Sequence, residues 1–231
     1  MQFIAKVNNN TWVLDQEEAR HLKVVRFKVG DTINLFDGKG GLWLGKIETL
    51  TDKSASGTIL KTLKPFTPKR KITLCFSVIS RPATEELLNL CTQAGVYAIK
   101  PIISKRCEKD LIKKWQTKQE RWEQIILSAA KQCGTPYLPT LLEPQNFADA
   151  IKETKAPAII CYEDEHTLPF LQEIQKLNPK NLITIFIGPE GGYEPEEIAL
   201  AKQNKIISVS LGDFILRAQS AAFAAVWGAM Q

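Results

Sequence analysis

Leu182-Ile183-Thr184-Ile185-Phe186-Ile187-Gly188-Pro189-Glu190-Gly191-Gly192-Tyr193 is the stretch on which the fold turns. Six apolar or β-branched residues, 182–187, are too few for a typical helix and rich in strand formers, so they predict a strand buried on both faces. Gly188-Pro189 stops that strand, because proline lacks an amide proton and fixes φ. The pair Gly191-Gly192 allows positive φ and close backbone approach, so the loop can lay its own amides and carbonyls against a ligand. Glu194-Pro195-Glu196-Glu197 then reads as a helix start, with proline near the first helical position and carboxylates in the first turn. Alone, such a loop also reads as a plain strand-to-helix turn. It is neither a Walker phosphate loop nor a dinucleotide fingerprint, since Gly-Lys-Ser/Thr and Gly-x-Gly-x-x-Gly are both absent.

A second loop follows at Leu211-Gly212-Asp213-Phe214-Ile215-Leu216-Arg217. Together, Ile187-Gly188-Pro189-Glu190-Gly191-Gly192-Tyr193-(x3)-Glu197 and Leu211-Gly212-(x2)-Ile215-Leu216-Arg217 closely resemble the two C-terminal signatures of the RsmE family. That family consists of bacterial 16S rRNA uracil-N3 methyltransferases of the SPOUT class. The resemblance implies an α/β domain with a mostly parallel sheet, a C-terminal trefoil knot and S-adenosyl-L-methionine as cofactor. It places cofactor contacts on Ile187, Gly188, Glu190, Gly191, Gly192, Leu211, Gly212, Ile215 and Leu216. Arg217, directly after the second motif, is the candidate catalytic cation. Its structural alternative is a salt bridge that pins the last helix.

The rest of the chain is consistent with an ordinary water-soluble protein. At 231 residues it is long enough for a small and a medium domain, with 44% apolar and 24% charged residues. No apolar run approaches the length of a membrane span, and the N-terminus lacks a signal layout, which predicts a cytoplasmic protein with no membrane partner. Five cysteines and two histidines have no metal-ligand spacing, so buried thiols are expected and no metal. The net charge of +5 permits a polyanionic partner without demanding one. Eight Lys/Arg against four Asp/Glu between positions 100 and 124 mark one basic region.

Residues 1–7 and 11–14 read as short strands around an Asn8-Asn9-Asn10 turn, and Asp15 starts a short helix ending near His21. Residues 32–36 and 42–49 flank the hairpin signal Asp37-Gly38-Lys39-Gly40-Gly41, and 54–63 supplies another strand. Close-spaced short strands predict a small barrel. Here His21-Leu22-(x2)-Val25-Arg26-(x3)-Gly30-Asp31 and Asp37-Gly38-(x)-Gly40 are also similar to the RsmE family, whose N-terminal PUA-like β-barrel docks rRNA. The resemblance makes Lys23, Arg26, Lys28 and Arg106 RNA-contact candidates, with exposed edge residues as the plain alternative for Arg26 and Lys28.

The proline- and base-rich stretch 63–71 sets a boundary, giving residues 1–68 as barrel and 69–231 as methyltransferase domain. Beyond it, strands at 72–79, 96–103 and 156–161 alternate with helices at 80–93, 114–131 and 168–177. Leu87, Leu88, Leu90, Cys91 and Ala94 form the expected buried stripe of the first of these helices. The last helix, 218–231, is apolar on nearly every side and predicts a homodimer through Phe223, Val226 and Trp227. Several positions depart from the family pattern. Gln219, Phe214, Leu90, Gln93 and Thr135 stand where charged residues are common, which leaves open altered activity, another RNA target such as a ribose 2′-oxygen, or an RNA-binding paralogue without turnover.

Overall fold

A single residue, Ala5, separates two strands that pair with opposite edges of one sheet. These are β1 (Gln2–Ile4) and β2 (Lys6–Asn8), and they are followed by β3 (Thr11–Leu14), helix α1 (Gln16–Val24), β4 (Thr32–Phe36), β5 (Leu42–Leu50) and β6 (Ala55–Thr62). The strand order is β1-β4-β5-β6-β3-β2, with β1 parallel to β4 and the other pairs antiparallel. Because β1 and β2 are nearly continuous and Ala5 N–H donates to the Phe36 carbonyl at 2.8 Å, the sheet closes into a barrel without free edges. The computed structural model describes residues 2–65, 68–155, 157–178 and 182–231. Met1, the linker residues Phe66 and Thr67, and Ala156, where the pattern starts a strand, lie outside the described residues.

The chain forms two units, Met1–Thr67 with Leu127–Leu138, and Pro68–Ile126 with Pro139–Gln231. In the first, Trp12, Leu14, Leu22, Leu35 and Ile47 are fully enclosed and Trp43 packs partly buried against them. Trp12 Nε1 donates to the Thr58 carbonyl at 3.1 Å, so the largest core side chain carries no unpaired donor. Asp15 caps α1 by accepting from Glu18 N–H at 3.0 Å. The helix runs one turn past its expected end at His21, to Val24, and stops in a Schellman turn: Phe27 N–H donates to Leu22 and Arg26 N–H to Lys23, both at 3.0 Å. The sequence lacks the glycine that would have marked this end. Arg26 takes the left-handed position instead, at φ +67°.

The second unit holds β7 (Lys71–Ser77), α2 (Arg81–Gln93), β8 (Ala98–Ile103), α3 (Trp115–Cys133, shared with the first unit), and the two-residue strands β9 (Thr140–Leu141) and β10 (Gln145–Asn146). Then come α4 (Phe147–Glu153), β11 (Ala158–Cys161), α5 (Phe170–Lys176), β12 (Leu182–Ile187), α6 (Pro195–Gln203), β13 (Ile207–Val209) and α7 (Ala218–Met230). All pairings are parallel, in the order β10-β8-β7-β12-β11-β13 with β9 also on β8. The strands read as continuous apolar runs because helices cover both faces. From edge strand β13 the chain returns to the middle, where α7 packs on α2, α5, β7 and β12.

Local burial departs from the sequence reading in three places. On α2, Thr84 and Thr92 are buried and Leu90 only partly, because the threonine hydroxyls donate back to the Ile79 and Leu88 carbonyls and so enter the core satisfied. Cys75, Cys91 and Cys161 are buried as expected, and burial pushes the Cys75 and Cys161 thiols up to about 12; Cys133 is exposed and Cys107 half-buried. On α7, Val226 is fully buried, so it presents nothing to a partner, whereas Trp227 is 53% exposed. No described helix is long and apolar enough to cross a membrane.

The first unit also buries an ion pair. Lys131 on α3 donates to Glu18 on α1, whose carboxylate is 3% exposed, and its Nζ lies 3.3 Å from His21 Nδ1. Burial raises the Glu18 pKa, and the hydrogen bond and charge of Lys131 oppose that rise. Removing one partner of such a pair leaves an uncompensated buried charge. Lys131→Met should therefore lower unfolding free energy by about 3 kcal/mol in urea titration, and Glu18→Gln on that background should recover most of the loss.

Candidate active site

Three adjacent parallel strands, β12, β11 and β13, end on the same side of the sheet, and the segment after β11 touches the loop of β12 at Gly192 and that of β13 at Ser210. Ligand sites of open parallel sheets lie at these carboxyl ends. The first loop, residues 188–194, is the hub. Ile187 closes β12 as a buried residue, Gly188 packs under the Tyr193 ring, and Gly192 N–H donates to the Pro189 carbonyl at 2.9 Å. Of the two adjacent glycines, the demand falls on Gly192: its φ is +70° and a Cβ there would sit 1.9 Å from Glu163 Oε1. Gly191 keeps an ordinary φ, and a Cβ on it would only press on the Arg106 side chain at 3.3 Å.

Three neighbouring segments reach this hub. Arg106, after β8, donates through Nη1 to the Gly191 carbonyl at 2.6 Å and through Nε to Glu194 Oε1 at 2.9 Å. Ser80, at the start of α2, donates to Glu190 Oε1 at 3.4 Å. Glu163, after β11, lies against Gly192. The helix behind the loop is closed by a capping box in which the Glu194 side chain bonds the backbone of Glu197 and Glu197 Oε2 accepts from Glu194 N–H at 3.0 Å. Glu197, 6% exposed, also accepts the Lys105 N–H at 3.0 Å on its other oxygen. Tyr193 is anchored by burial beside the Phe147 ring, 5.2 Å between centroids, and that burial holds its hydroxyl pKa well above the usual value.

The second loop is open. Ser210 ties it to the segment after β11, donating N–H to the Leu168 carbonyl and accepting from Phe170 N–H, and the Ser210 hydroxyl bonds the Gly212 backbone at 3.2 Å. Leu211 is half-buried, but Phe214, Ile215 and Leu216 are 85%, 88% and 40% exposed. Gly212 has φ +132° and nothing within 4 Å of where its Cβ would be. That conformation is essentially restricted to glycine. Arg217 is exposed at the N-cap of α7, with its side chain outside the capping bonds.

The expected cofactor residues Ile187, Gly188, Glu190, Gly191, Gly192, Leu211, Gly212, Ile215, Leu216 and the candidate cation Arg217 therefore belong to two loops at one end of one sheet. Lys23, Arg26 and Lys28 cluster at the end of α1 in the first unit, where Lys23 pairs with the exposed Asp52 and Lys28 N–H donates to Asp31 Oδ2 at 2.7 Å. Arg106 lies in the second unit, on the hub. Glu163, Glu194 and Lys105 were not anticipated as site residues. Glu163 sits in the acidic run 163–165, which in sequence looks like a solvated loop. Among the departures, Gln219 donates through Nε2 to Glu86 Oε2 at 3.2 Å, and Leu90 lies one turn beyond Glu86 on α2. A neutral amide thus satisfies Glu86 where a second carboxylate would repel it.

A closed β-barrel coupled in sequence to a parallel α/β unit with two glycine loops at its strand ends is the build of a substrate-docking module joined to a small-molecule-dependent enzyme. The chain belongs to the RNA methyltransferase family: that domain's profile matches residues 67–230, and the RNA methyltransferase PUA domain matches residues 14–60. It is 29% identical over 223 residues to ribosomal RNA small subunit methyltransferase E of Mesomycoplasma hyopneumoniae, covering 95% of this chain and 94% of that one. The protein of the same name from Synechocystis is 30% identical over 203 residues, 86% of this chain, which spans 65% of the Synechocystis protein. In structure, the chain is similar to ribosomal RNA small subunit methyltransferase E from Neisseria gonorrhoeae bound to S-adenosyl methionine, with a TM-score of 0.87, 28% identity, and 97% and 94% of the two chains covered.

The two backbone bonds of Glu197 yield a direct test of how the hub is held. Glu197→Ala leaves two backbone N–H groups without their acceptor, which should cost about 2–4 kcal/mol in thermal or urea unfolding. Glu197→Gln keeps one acceptor oxygen and should lose roughly half as much. Equal stability of Glu197→Ala and parent would show that the carboxylate is not the tie.

Proposed function

We propose that this protein transfers a methyl group from S-adenosyl-L-methionine to N3 of a uracil in 16S rRNA, at the family's uracil-1498 site, in the cytoplasm and within a small-subunit particle. The observation that carries this reading is the placement of the two glycine loops at the carboxyl ends of one parallel sheet, in a chain whose relatives are named as small-subunit rRNA methyltransferases. The residues present fit that cofactor. Gly212 leaves open the room a side chain would occupy, and Phe214, Ile215 and Leu216 offer uncovered apolar surface for a nucleoside and a thioether chain.

When bound, the cofactor supplies a methyl group on an electrophilic sulfonium. The protein would contribute position, with the backbone of 188–192 and the apolar side chains of Ile215 and Leu216 as the groups that would hold the cofactor. Arg217 stands beside the second loop, where its cation lowers the cost of losing the proton at uracil N3. N3 lies on the Watson–Crick edge, so the target must be unpaired or flipped, and the barrel holds the flanking RNA by phosphate contacts from Lys23, Arg26 and Lys28. Two further parts of the proposal rest on α7. Its return onto β7 and β12 after edge strand β13 suits the trefoil crossing of the family. Exposed Trp227, beside exposed Leu171 of α5, suits a homodimer through α7 and α5, which light scattering at micromolar concentration tests.

Mass spectrometry of rRNA nucleosides from a strain lacking the gene tests the reaction: N3-methyluridine should vanish and return with the parent gene. Arg217→Ala should fail to restore it, with kcat lowered about a hundredfold or more and melting temperature unchanged. Arg217→Lys should recover only part, since a point charge does not copy a planar fork. An unchanged nucleoside profile rejects the reaction, and a profile lacking a different methylated nucleoside moves the target.

Arg26 gives an independent test, with two readouts of opposite sense. A non-glycine residue in the left-handed region costs about 1–2 kcal/mol, and glycine would end α1 without that strain. Arg26→Gly should therefore leave melting temperature equal or higher while weakening RNA affinity and flattening its salt slope by about one unit. Unchanged RNA affinity would leave Arg26 as an exposed residue only.

A further inference from the structure

We propose that Arg106 is a positioning residue of the cofactor loop, and that the segment carrying it works as a clamp on that loop rather than as an RNA grip. The proposal rests on the cofactor site described above and goes beyond it, because it assigns a task to a residue outside both glycine loops.

The geometry is specific. Arg106 uses two edges of its guanidinium on two different groups: Nη1 on the Gly191 carbonyl at 2.6 Å and Nε on Glu194 Oε1 at 2.9 Å. Its aliphatic stem covers the same glycine, with Cδ 3.3 Å and Cβ 3.5 Å from where a Gly191 Cβ would stand. The peptide before it is fixed as well, since Lys105 N–H donates to buried Glu197 and Lys105 Nζ donates to Glu196 Oε2 at 3.0 Å. Two consecutive residues after β8 thus engage Glu194, Glu196 and Glu197 at the start of α6 together with the carbonyl of Gly191 between them and the strand. A planar fork with fixed donor directions can hold a carbonyl and a carboxylate at once, which an ammonium does poorly.

A phosphate grip makes different demands. It needs a guanidinium free to turn toward RNA, and here two of its five N–H donors are committed to the protein itself, so that turning it would break both bonds. The bond to the Gly191 carbonyl sets the orientation of the Gly191-Gly192 peptide. That peptide leads into Gly192, the one residue of the loop whose positive φ is matched to its neighbours. Preorganising it removes an ordering cost that each binding event would otherwise carry.

Arg106→Gln, Arg106→Lys and Glu194→Gln separate the two roles. Glu194→Gln keeps one side-chain oxygen to accept from the helix cap or Arg106, replaces the other by an NH2 donor, and removes the charge that Arg106 faces. The measurements are S-adenosyl-L-methionine affinity by calorimetry, RNA affinity by fluorescence anisotropy across salt, steady-state KM for each substrate, and melting temperature. Arg106→Gln should weaken cofactor affinity about tenfold or more and raise the cofactor KM, leaving the RNA KM and salt slope at parent values. Arg106→Lys should recover part of this, and Glu194→Gln should move the same quantities in the same direction by less. Lower RNA affinity with a flattened salt slope and parent-like cofactor affinity would overturn the clamp in favour of a phosphate contact. A lowered melting temperature with proportionate loss of both affinities would overturn it in favour of general scaffolding. Failure of the parent protein to bind S-adenosyl-L-methionine would overturn it together with the reading of the cofactor site, and is distinguishable because it precedes any substitution.

Discussion

One buried carboxylate sets the conditions for everything around it. Glu197 spends both oxygens on backbone N–H groups, one at the start of its own helix and one in the segment after β8. A carboxylate that takes two such bonds in a buried site is fixed in rotamer and depth. Helix α6 therefore begins at a defined height above the sheet, and the loop between β12 and α6 has no slack to absorb. The left-handed Gly192, the carbonyl turned to Arg106 and the buried Tyr193 all follow from that short span between two fixed ends.

The sheet supplies the other half of the constraint. Parallel pairing brings the ends of β12, β11 and β13 side by side, so loops far apart in sequence become neighbours. Rigidity and openness are then divided between them. The first loop is bonded by Ser80 and Arg106 and bordered by Glu163, and the second leaves its apolar residues uncovered.

How far the sequence could reach depended on whether a feature was local. The run 182–187, the proline at the start of α6 and the Asp15 cap each carry their cause within a few residues, and each element appears where those residues place it. Barrel closure was legible only as a class, because pairing of β1 with β4 and β2 with β3 is set by long-range register. The end of α1 was misread for a physical reason: its Schellman turn uses arginine, which gives no stop signal. The polar ties of the site were the least legible part. Glu163 and Lys105 resemble solvated charges until folding brings Gly192 and α6 to them, and Arg106 has the same composition whether it faces phosphate or a carbonyl.

The ion pair between Glu18 and Lys131 has a meaning in time as well as in space. The two residues are 113 positions apart, and Gln2 bonds the Gly134 carbonyl over 132. The strands of the barrel are all made by residue 62, yet the charge that compensates its buried glutamate belongs to a helix synthesised much later. At about 5–20 residues per second, a nascent barrel complete at residue 62 waits roughly 3–14 seconds for Lys131. During that interval Glu18 must stay in water or take up a proton, and the face of α1 that carries it stays unsealed. Final closure of the N-terminal module is thereby made conditional on synthesis having crossed well into the catalytic half.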